Sequence, residues 1–230
     1  MADSKILEFD TEDALIVSAT NAISKAISQK TCTVFLSGGS TPGPIYQQLS
    51  AQKINWENIY ITLVDERWVD EDDAGSNARL VKNTLLQNHA AKAHFIPMKS
   101  AHVDPEMGKN CVEMAYQQLP KPYFIILGMG EDGHVASWFS SAPEYQNMMS
   151  NNNKKLVATL NPKKSDITGS YTQRITITPY VLSQCEKAFL IIKGEKKLNL
   201  LKNWLHSGSD LPVTQAMDIL KSKLNIYAAS

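Results

Sequence analysis

Apolar and polar positions along the chain fall into two rhythms, one of helical period and one of short unbroken runs. Between residues 11 and 29, Leu15, Ala19, Ala22, Ile23, Ala26 and Ile27 share one helical face, with Asp10 or Thr11 available as N-cap, which predicts an amphipathic helix. The run 33–36 reads as a strand that enters Ser37-Gly38-Gly39-Ser40-Thr41-Pro42-Gly43-Pro44 directly, and Ile45, Tyr46 and Leu49 then predict a second helix. Residues 59–64 are strand-like and end in the charged stretch Asp65-Glu66-Arg67-Trp68-Val69, which sits just past a strand's carboxyl end. A helix over 76–87 buries Ala78, Val81 and Leu85, and a strand follows at 94–98. From 105 to 119 a further helix carries Met107, Cys111, Met114 and Ala115 at helical spacing, a stripe read as core.

The apolar run Phe124-Ile125-Ile126-Leu127 then ends in Gly128-Met129-Gly130-Glu131-Asp132-Gly133-His134, a glycine turn that delivers an acid and a histidine together at an expected helix start. Residues 140–154, rich in Ser, Asn and Met, read as a mobile loop near that point. Strands are expected at 156–160, 174–178 and 188–192, with helices at 179–184 and 195–206. Strands and helices alternate throughout, with no internal repeat and no linker. The expected architecture is one α/β domain over 1–230, a mostly parallel Rossmann-like sheet with helices on both faces.

Composition adds exclusions. The chain has 230 residues, 43% of them hydrophobic, enough for a sizeable core in one unit. Its 23 basic and 23 acidic residues cancel, so no net field favours nucleic acid or an anionic membrane, and a bound anion must be gripped locally. Cys32, Cys111 and Cys185 are odd in number and free of C-x-x-C spacing, which suits reduced thiols packed in a cytoplasmic protein. Met1-Ala2-Asp3-Ser4-Lys5-Ile6-Leu7-Glu8 lacks a basic and then apolar leader, and no apolar run approaches spanning length. The acidic run Asp70, Glu71, Asp72 and Asp73 has no metal-ligand spacing and reads as a solvated loop.

Two stretches carry chemistry. A strand, a Gly/Ser/Thr turn and a helix start at 37–44 form a natural phosphate cradle, because free backbone N–H groups, hydroxyls and the positive helix end converge; no G-K-[ST] ending makes it a Walker loop. Gly128, Gly130 and Gly133 have G-x-G-x-x-G spacing, yet no acid stands about 20 residues on at a following strand, which argues against a dinucleotide fingerprint. Their small size lets a ligand reach the backbone N–H groups and His134. The remaining histidines, His89, His94, His102 and His206, show no paired spacing, and no G-x-S-x-G elbow supports a serine hydrolase.

Taken in order, Ser37-Gly38-Gly39-Ser40-Thr41-Pro42, Asp65-Glu66-Arg67-Trp68-Val69 with Ser76-Asn77, the segment from Gly128 to His134, Arg174-Ile175-Thr176 and Gly194-Glu195-Lys196-Lys197 resemble the 6-phosphogluconolactonase family, itself related to the glucosamine-6-phosphate deaminases. The resemblance implies hydrolysis of 6-phospho-D-glucono-1,5-lactone in the oxidative pentose phosphate pathway, with a sugar phosphate as partner and no metal or organic cofactor. It implies His134 as general base, with Asp132 either orienting it or capping the next helix. Substrate binding falls on Ser37, Gly38, Gly39, Ser40, Thr41, Asp65, Gly130, Arg174 and Lys197, with Lys196 one position from the match. The resemblance makes Arg67 a further anion-binding position, and the chemistry of the residues offers either Arg67 or glycine-turn N–H groups for the oxyanion. Deaminases of this kind carry a glutamate five residues after the histidine, where this chain has Phe139. A sugar-phosphate-binding module without catalysis is the other reading, and needs no His134. Lactonases commonly continue A-S-L-F-P after that histidine, whereas Ala136-Ser137-Trp138-Phe139-Ser140 brings in an indole and lacks the proline, and the carboxyl end lacks the acidic residue expected near the last strand.

Overall fold

The computed structural model describes residues 6–230, so the part of the leader reading that rests on residues 1–5 lies outside the described residues. Strands β1 (Ile6–Phe9), β2 (Cys32–Leu36), β3 (Ile59–Leu63), β5 (His94–Phe95), β6 (Tyr123–Leu127), β9 (Cys185–Lys193) and β10 (Leu224–Ala229) make a seven-stranded sheet in the order β1-β10-β9-β6-β2-β3-β5. Every pairing in it is parallel. Every residue of β2 and β6 is buried, which is why these strands read as continuous apolar runs: both faces are covered.

The helices are α1 (Glu12–Ile27), α2 (Gly43–Ser50), α3 (Asn77–Thr84), α4 (Pro105–Gln117), α5 (Tyr145–Met149), α6 (Pro179–Gln184), α7 (Glu195–Ser207) and α8 (Pro212–Leu220). Thr11 caps α1, its hydroxyl accepting from the Ala14 N–H, and Leu15, Ile16, Ala19, Ile23 and Ile27 are buried as their spacing requires. Helix α8 and edge strand β1 have no counterpart in the sequence reading. Strand β1 is four residues long, too short to show a period, whereas Val213, Ala216, Met217 and Leu220 of α8 are buried at helical spacing that a longer window reveals. Among the described residues no helix is long and apolar enough to cross a membrane.

From β2 the chain travels through β3 to the edge at β5, then returns through α4 to β6 on the other side of β2. The sheet order reverses between β2 and β6, so the loops after their carboxyl ends diverge and open a crevice, the place where such sheets bind ligands. The Ser37 N–H donates to Ile126 O at 3.1 Å and keeps the two loop origins together.

Four expectations need correction. First, Asp65–Arg67 is a strand, β4, and joins β7 (Val157–Leu160) and β8 (Arg174–Ile177) in a separate antiparallel sheet of order β4-β8-β7. Pairing with β8 makes a strand of three charged residues that no local propensity favours. Second, the face of α4 is misjudged: Met107 and Met114 are 61% and 67% exposed and Cys111 is exposed, while Gly108, Val112, Glu113 and Tyr116 face inward. Gly108 decides this orientation, since a Cβ there would stand 2.5 Å from the Trp68 ring, so only glycine lets the helix dock on it.

Third, no helix starts at His134; residues 131–140 form turns and α5 begins only at Tyr145, so Asp132 caps nothing. Fourth, the 140–154 segment contains α5 and lines a different cavity with Glu106, Glu113 and Thr159, away from the crevice. Trp138 is fully buried, its indole N–H donating to Ile177 O at 2.7 Å, so the extra bulk next to the histidine anchors this segment to β8 and stays out of the crevice.

Candidate active site

The crevice holds a cavity of about 510 Å³ with three walls. The first is the turn after β2, which contributes Ser37, Gly38, Gly39, Ser40, Thr41 and Pro42. Gly39 has φ 95°, a conformation that glycine adopts without strain. At Gly38 a Cβ would fall 1.8 Å from Asn77 Oδ1, so glycine is what allows the Asn77 side chain to rest on this turn. Pro42 at the N-cap of α2 supplies no side-chain cap bond, which leaves the first-turn N–H groups of that helix open to an anion. The buried Ser37 hydroxyl has no hydrogen-bond partner.

The second wall is the turn after β6. The Gly130 N–H donates to His134 O at 2.9 Å and the Gly133 N–H to Gly130 O at 3.1 Å, closing a tight loop that presents the imidazole. Asp132 Oδ1 lies 2.6 Å from His134 Nδ1 and also accepts the His134 backbone N–H at 3.2 Å. Burial works against the Asp132 charge, but hydrogen bonds and attraction from His134 outweigh it and hold the carboxyl below its ordinary range. With Nδ1 committed to a carboxylate, the tautomer that protonates Nδ1 leaves Nε2 as the acceptor. His134 and Phe139 line the cavity, while Asp132 stands behind the imidazole.

The third wall comes from the small sheet and α3. Asp65, Arg67 and Arg174 line it together with Asn77, and Lys197 of α7 closes the rim. Arg67 and Arg174 are paired across the β4–β8 ladder, an arrangement of like charges that is unfavourable unless an anion or carboxylate offsets it. Burial first, then the neighbouring Arg67, bring the Arg174 guanidinium down to about 10, with Asp65 and Glu66 opposing. Arg174 is less free than its sequence role implies: Nε donates to Tyr171 O at 2.5 Å and Nη2 to Thr168 O at 3.2 Å, which leaves Nη1, 3.9 Å from Asp65 Oδ2, and half of Nη2. Arg67 Nη1 donates to Gly75 O at 2.6 Å, whereas its buried Nε is unpartnered. Lys196 pairs with Glu131 at 2.6 Å and does not line the cavity, so of the two adjacent lysines it is Lys197 that faces it.

Behind this wall lies a buried polar network that the sequence reading did not assign. Asn77 Nδ2 donates to Asp65 O at 2.9 Å, and the Ser137 hydroxyl donates to Asp65 Oδ2 at 2.5 Å, so the carboxylate ties the histidine segment to the small sheet. Glu66 accepts the N–H groups of Asn77 and Ala78 at the start of α3, each at 2.8 Å, while burial pushes its carboxyl up to about 7. Asp166 and Ile167 reach the rim from the loop before β8. Nothing in their local sequence marks them, because the loop is positioned by Arg174 from a distance. Among the described residues no group of three or more His, Cys, Asp or Glu side chains is placed to hold a metal.

The crevice thus brings together eleven of the twelve residues singled out from sequence, with the twelfth, Asp132, directly behind the imidazole. It combines an imidazole bonded at Nδ1 to a carboxylate with cations at one side and a glycine-rich turn at another.

Comparison with known proteins gives a consistent set. Residues 9–223 match the family described as glucosamine-6-phosphate isomerases/6-phosphogluconolactonase. A 6-phosphogluconolactonase of Xylella fastidiosa (strain Temecula1) is 34% identical over 214 residues, covering 90% of this chain and 87% of that protein. One from Helicobacter pylori (strain 26695) is 32% identical over 199 residues, covering 86% of this chain and 83% of that protein. The crystal structure of a 6-phosphogluconolactonase from Shewanella baltica OS155 superposes with a TM-score of 0.90 at 30% identity, over 99% of this chain and 98% of that one.

Proposed function

The chain belongs to the glucosamine-6-phosphate isomerase/6-phosphogluconolactonase family, and on that premise we propose that it hydrolyses 6-phospho-D-glucono-1,5-lactone to 6-phospho-D-gluconate, a carboxylic ester hydrolysis of the oxidative pentose phosphate pathway. The observation that carries the mechanism is the His134–Asp132 pair at the wall of a cavity whose other sides are cationic or rich in N–H donors.

In this reading Nε2 of neutral His134 takes a proton from water as the water oxygen attacks C1 of the lactone. The carbonyl becomes a tetrahedral oxyanion, and Asp132 steadies the imidazolium through Nδ1–H. Collapse re-forms the C1 carbonyl and breaks the bond from C1 to the ring oxygen. That oxygen takes the proton from Nε2–H, giving the open-chain acid and restoring the base. General-base help of this kind is worth about 10²–10⁴-fold, and a lactone is already an activated ester. The oxyanion is served by Arg67 or by N–H groups of the 128–133 turn, while the 37–41 turn, Arg174 and Lys197 hold the phosphate. Neither a metal nor an organic cofactor enters any step.

An amino-sugar phosphate deaminase requires an additional proton carrier for ring opening and amine loss. Phe139 has none to offer beside His134. Residues 1–230 act as one domain, and the reduced-thiol reading of the three cysteines puts the reaction in the cytoplasm. The deciding experiment is turnover of freshly generated lactone measured against its spontaneous hydrolysis. Acceleration is expected; a rate equal to the uncatalysed one at micromolar protein refutes the assignment.

A further inference from the structure

We propose that Phe139 is a positioning residue for the hydrolysis, a rigid plate that sets the ring plane of His134. The inference rests on His134 being the base. A hydrogen bond at Nδ1 fixes the tautomer and one ring atom, but the Cβ–Cγ torsion of histidine lies in a broad well, so the ring can still pivot about that contact. Moving Nε2 by an ångström spoils the line from the base to the attacking water. Two further contacts remove the freedom. Gly130 presses on the imidazole edge, close enough that a Cβ there would stand 2.2 Å from Cε1 and Nδ1. The Phe139 ring packs on it with centroids 4.3 Å apart and planes 34° from parallel.

The plate is itself held firmly. Phe139 is 4% exposed, its N–H donates to Ser137 O at 2.9 Å, and its carbonyl accepts from Ala142 N at 3.0 Å. Immediately before Phe139 the segment is pinned twice: Ser137 to Asp65 and Trp138 to Ile177 O. The same ring also carries the Arg174 guanidinium, with Cζ 5.6 Å from the centroid. That second contact creates a rival role, as a platform for the phosphate-holding cation. Arg174, however, keeps its backbone acceptors at Tyr171 and Thr168 without any help from Phe139, whereas the imidazole packs on this ring at a shorter centroid distance, 4.3 Å. The plate role therefore predicts an effect on turnover and not on binding.

The test compares wild type, Phe139→Leu and Phe139→Tyr by steady-state lactone hydrolysis, with thermal unfolding to verify that each is folded. Phe139→Leu keeps an apolar side chain but loses the flat face; kcat should fall roughly tenfold or more, since misplacement by 1 Å costs about 10²-fold, while KM stays within about twofold. Phe139→Tyr restores the face and should return kcat to within about threefold of wild type. A kcat unchanged in Phe139→Leu overturns the proposal. So does a rise in KM at constant kcat, which assigns the ring to Arg174, and so does an equal loss in both variants, which makes the effect one of packing. The His134 Cε1–H resonance gives a readout independent of turnover: the Phe139 ring current should displace it in wild type and in Phe139→Tyr but not in Phe139→Leu. An inactive wild type with that displacement present removes the lactonase reading and leaves the plate standing; absence of the displacement removes the plate.

Discussion

Gly130→Ala is the substitution whose effect the geometry specifies most closely. The added Cβ would lie 2.2 Å from both Cε1 and Nδ1 of His134 and 2.6 Å from Asp132 Oδ1. Non-bonded heavy atoms rest at about 3.5–4.0 Å, so the imidazole must retreat by at least about 1.3 Å. It cannot do so and keep its Asp132 hydrogen bond, because the carboxylate is crowded by the same methyl group. A displacement near 1 Å at a reacting group costs about 10²-fold, and losing the acceptor behind Nδ1 adds to that, so kcat should fall by roughly 10²-fold or more. Binding is held elsewhere, at Arg174, Lys197 and the 37–41 turn, so KM should move by less than about threefold. Gly130 is not among the glycines of positive φ, and the atoms it crowds are side-chain ends, so the fold should survive with a melting temperature within a few degrees of wild type. The assay is steady-state hydrolysis of fresh lactone, corrected for spontaneous opening, beside a thermal melt. A kcat within threefold of wild type in a folded Gly130→Ala protein would show that His134 does not act from this position.

His134→Ala should lower kcat by 10²-fold or more and leave KM nearly unchanged, since a base acts mainly in the transition state; the same preparations should release no ammonia from glucosamine 6-phosphate, and release that disappears in the variant would make the chain a deaminase. Arg174→Ala and Lys197→Ala should each raise KM about tenfold or more with a smaller effect on kcat, because a remote phosphate is held alike in ground and transition states. Only Arg174→Ala should also depress the melting temperature by several degrees, since it strips donors from Tyr171 O and Thr168 O; equal melting temperatures would mean those bonds add nothing. The Asp132 carboxyl is depressed in the folded chain, so the stability it adds is fully present above its unfolded value near 3.9 and is lost as pH falls through the lower folded value. Asp132→Asn should accordingly flatten the loss of stability seen by urea unfolding as the pH falls below about 4, and an unchanged acid slope would show that the carboxylate gains nothing from His134.

Much of the site was legible because it depends on local geometry. Glycines at 38, 39, 130 and 133 between apolar runs announce turns at strand ends, and Asp132 two residues before His134 is near enough in sequence to meet it in almost any tight turn. The run 123–127 reads as a buried strand because burial on both faces removes every polar position, and that is a property of the strand itself.

Other features depend on partners distant in the chain. Asp65–Arg67 has the composition of a loop, and only its ladder with Arg174–Ile177, more than a hundred residues away, makes it a strand and sets two guanidinium groups side by side. Met107 and Met114 have the right period for a core face, but period gives spacing and not direction; Gly108 against the Trp68 ring chooses which side of α4 turns inward. Ser137, Asn77 and Phe139 acquire roles through Asp65, the 37–41 turn and His134 respectively, contacts that exist only once the order reversal between β2 and β6 has opened the crevice. The amino-acid sequence by itself determined the turns, the apolar runs and the residue types able to do the chemistry, because these follow from local conformation and patterning. Which cations face the cavity, what anchors the Ser137–Phe139 stretch and which helix face is buried were decided by tertiary structure, because each depends on packing between segments whose separation along the chain carries no local signal.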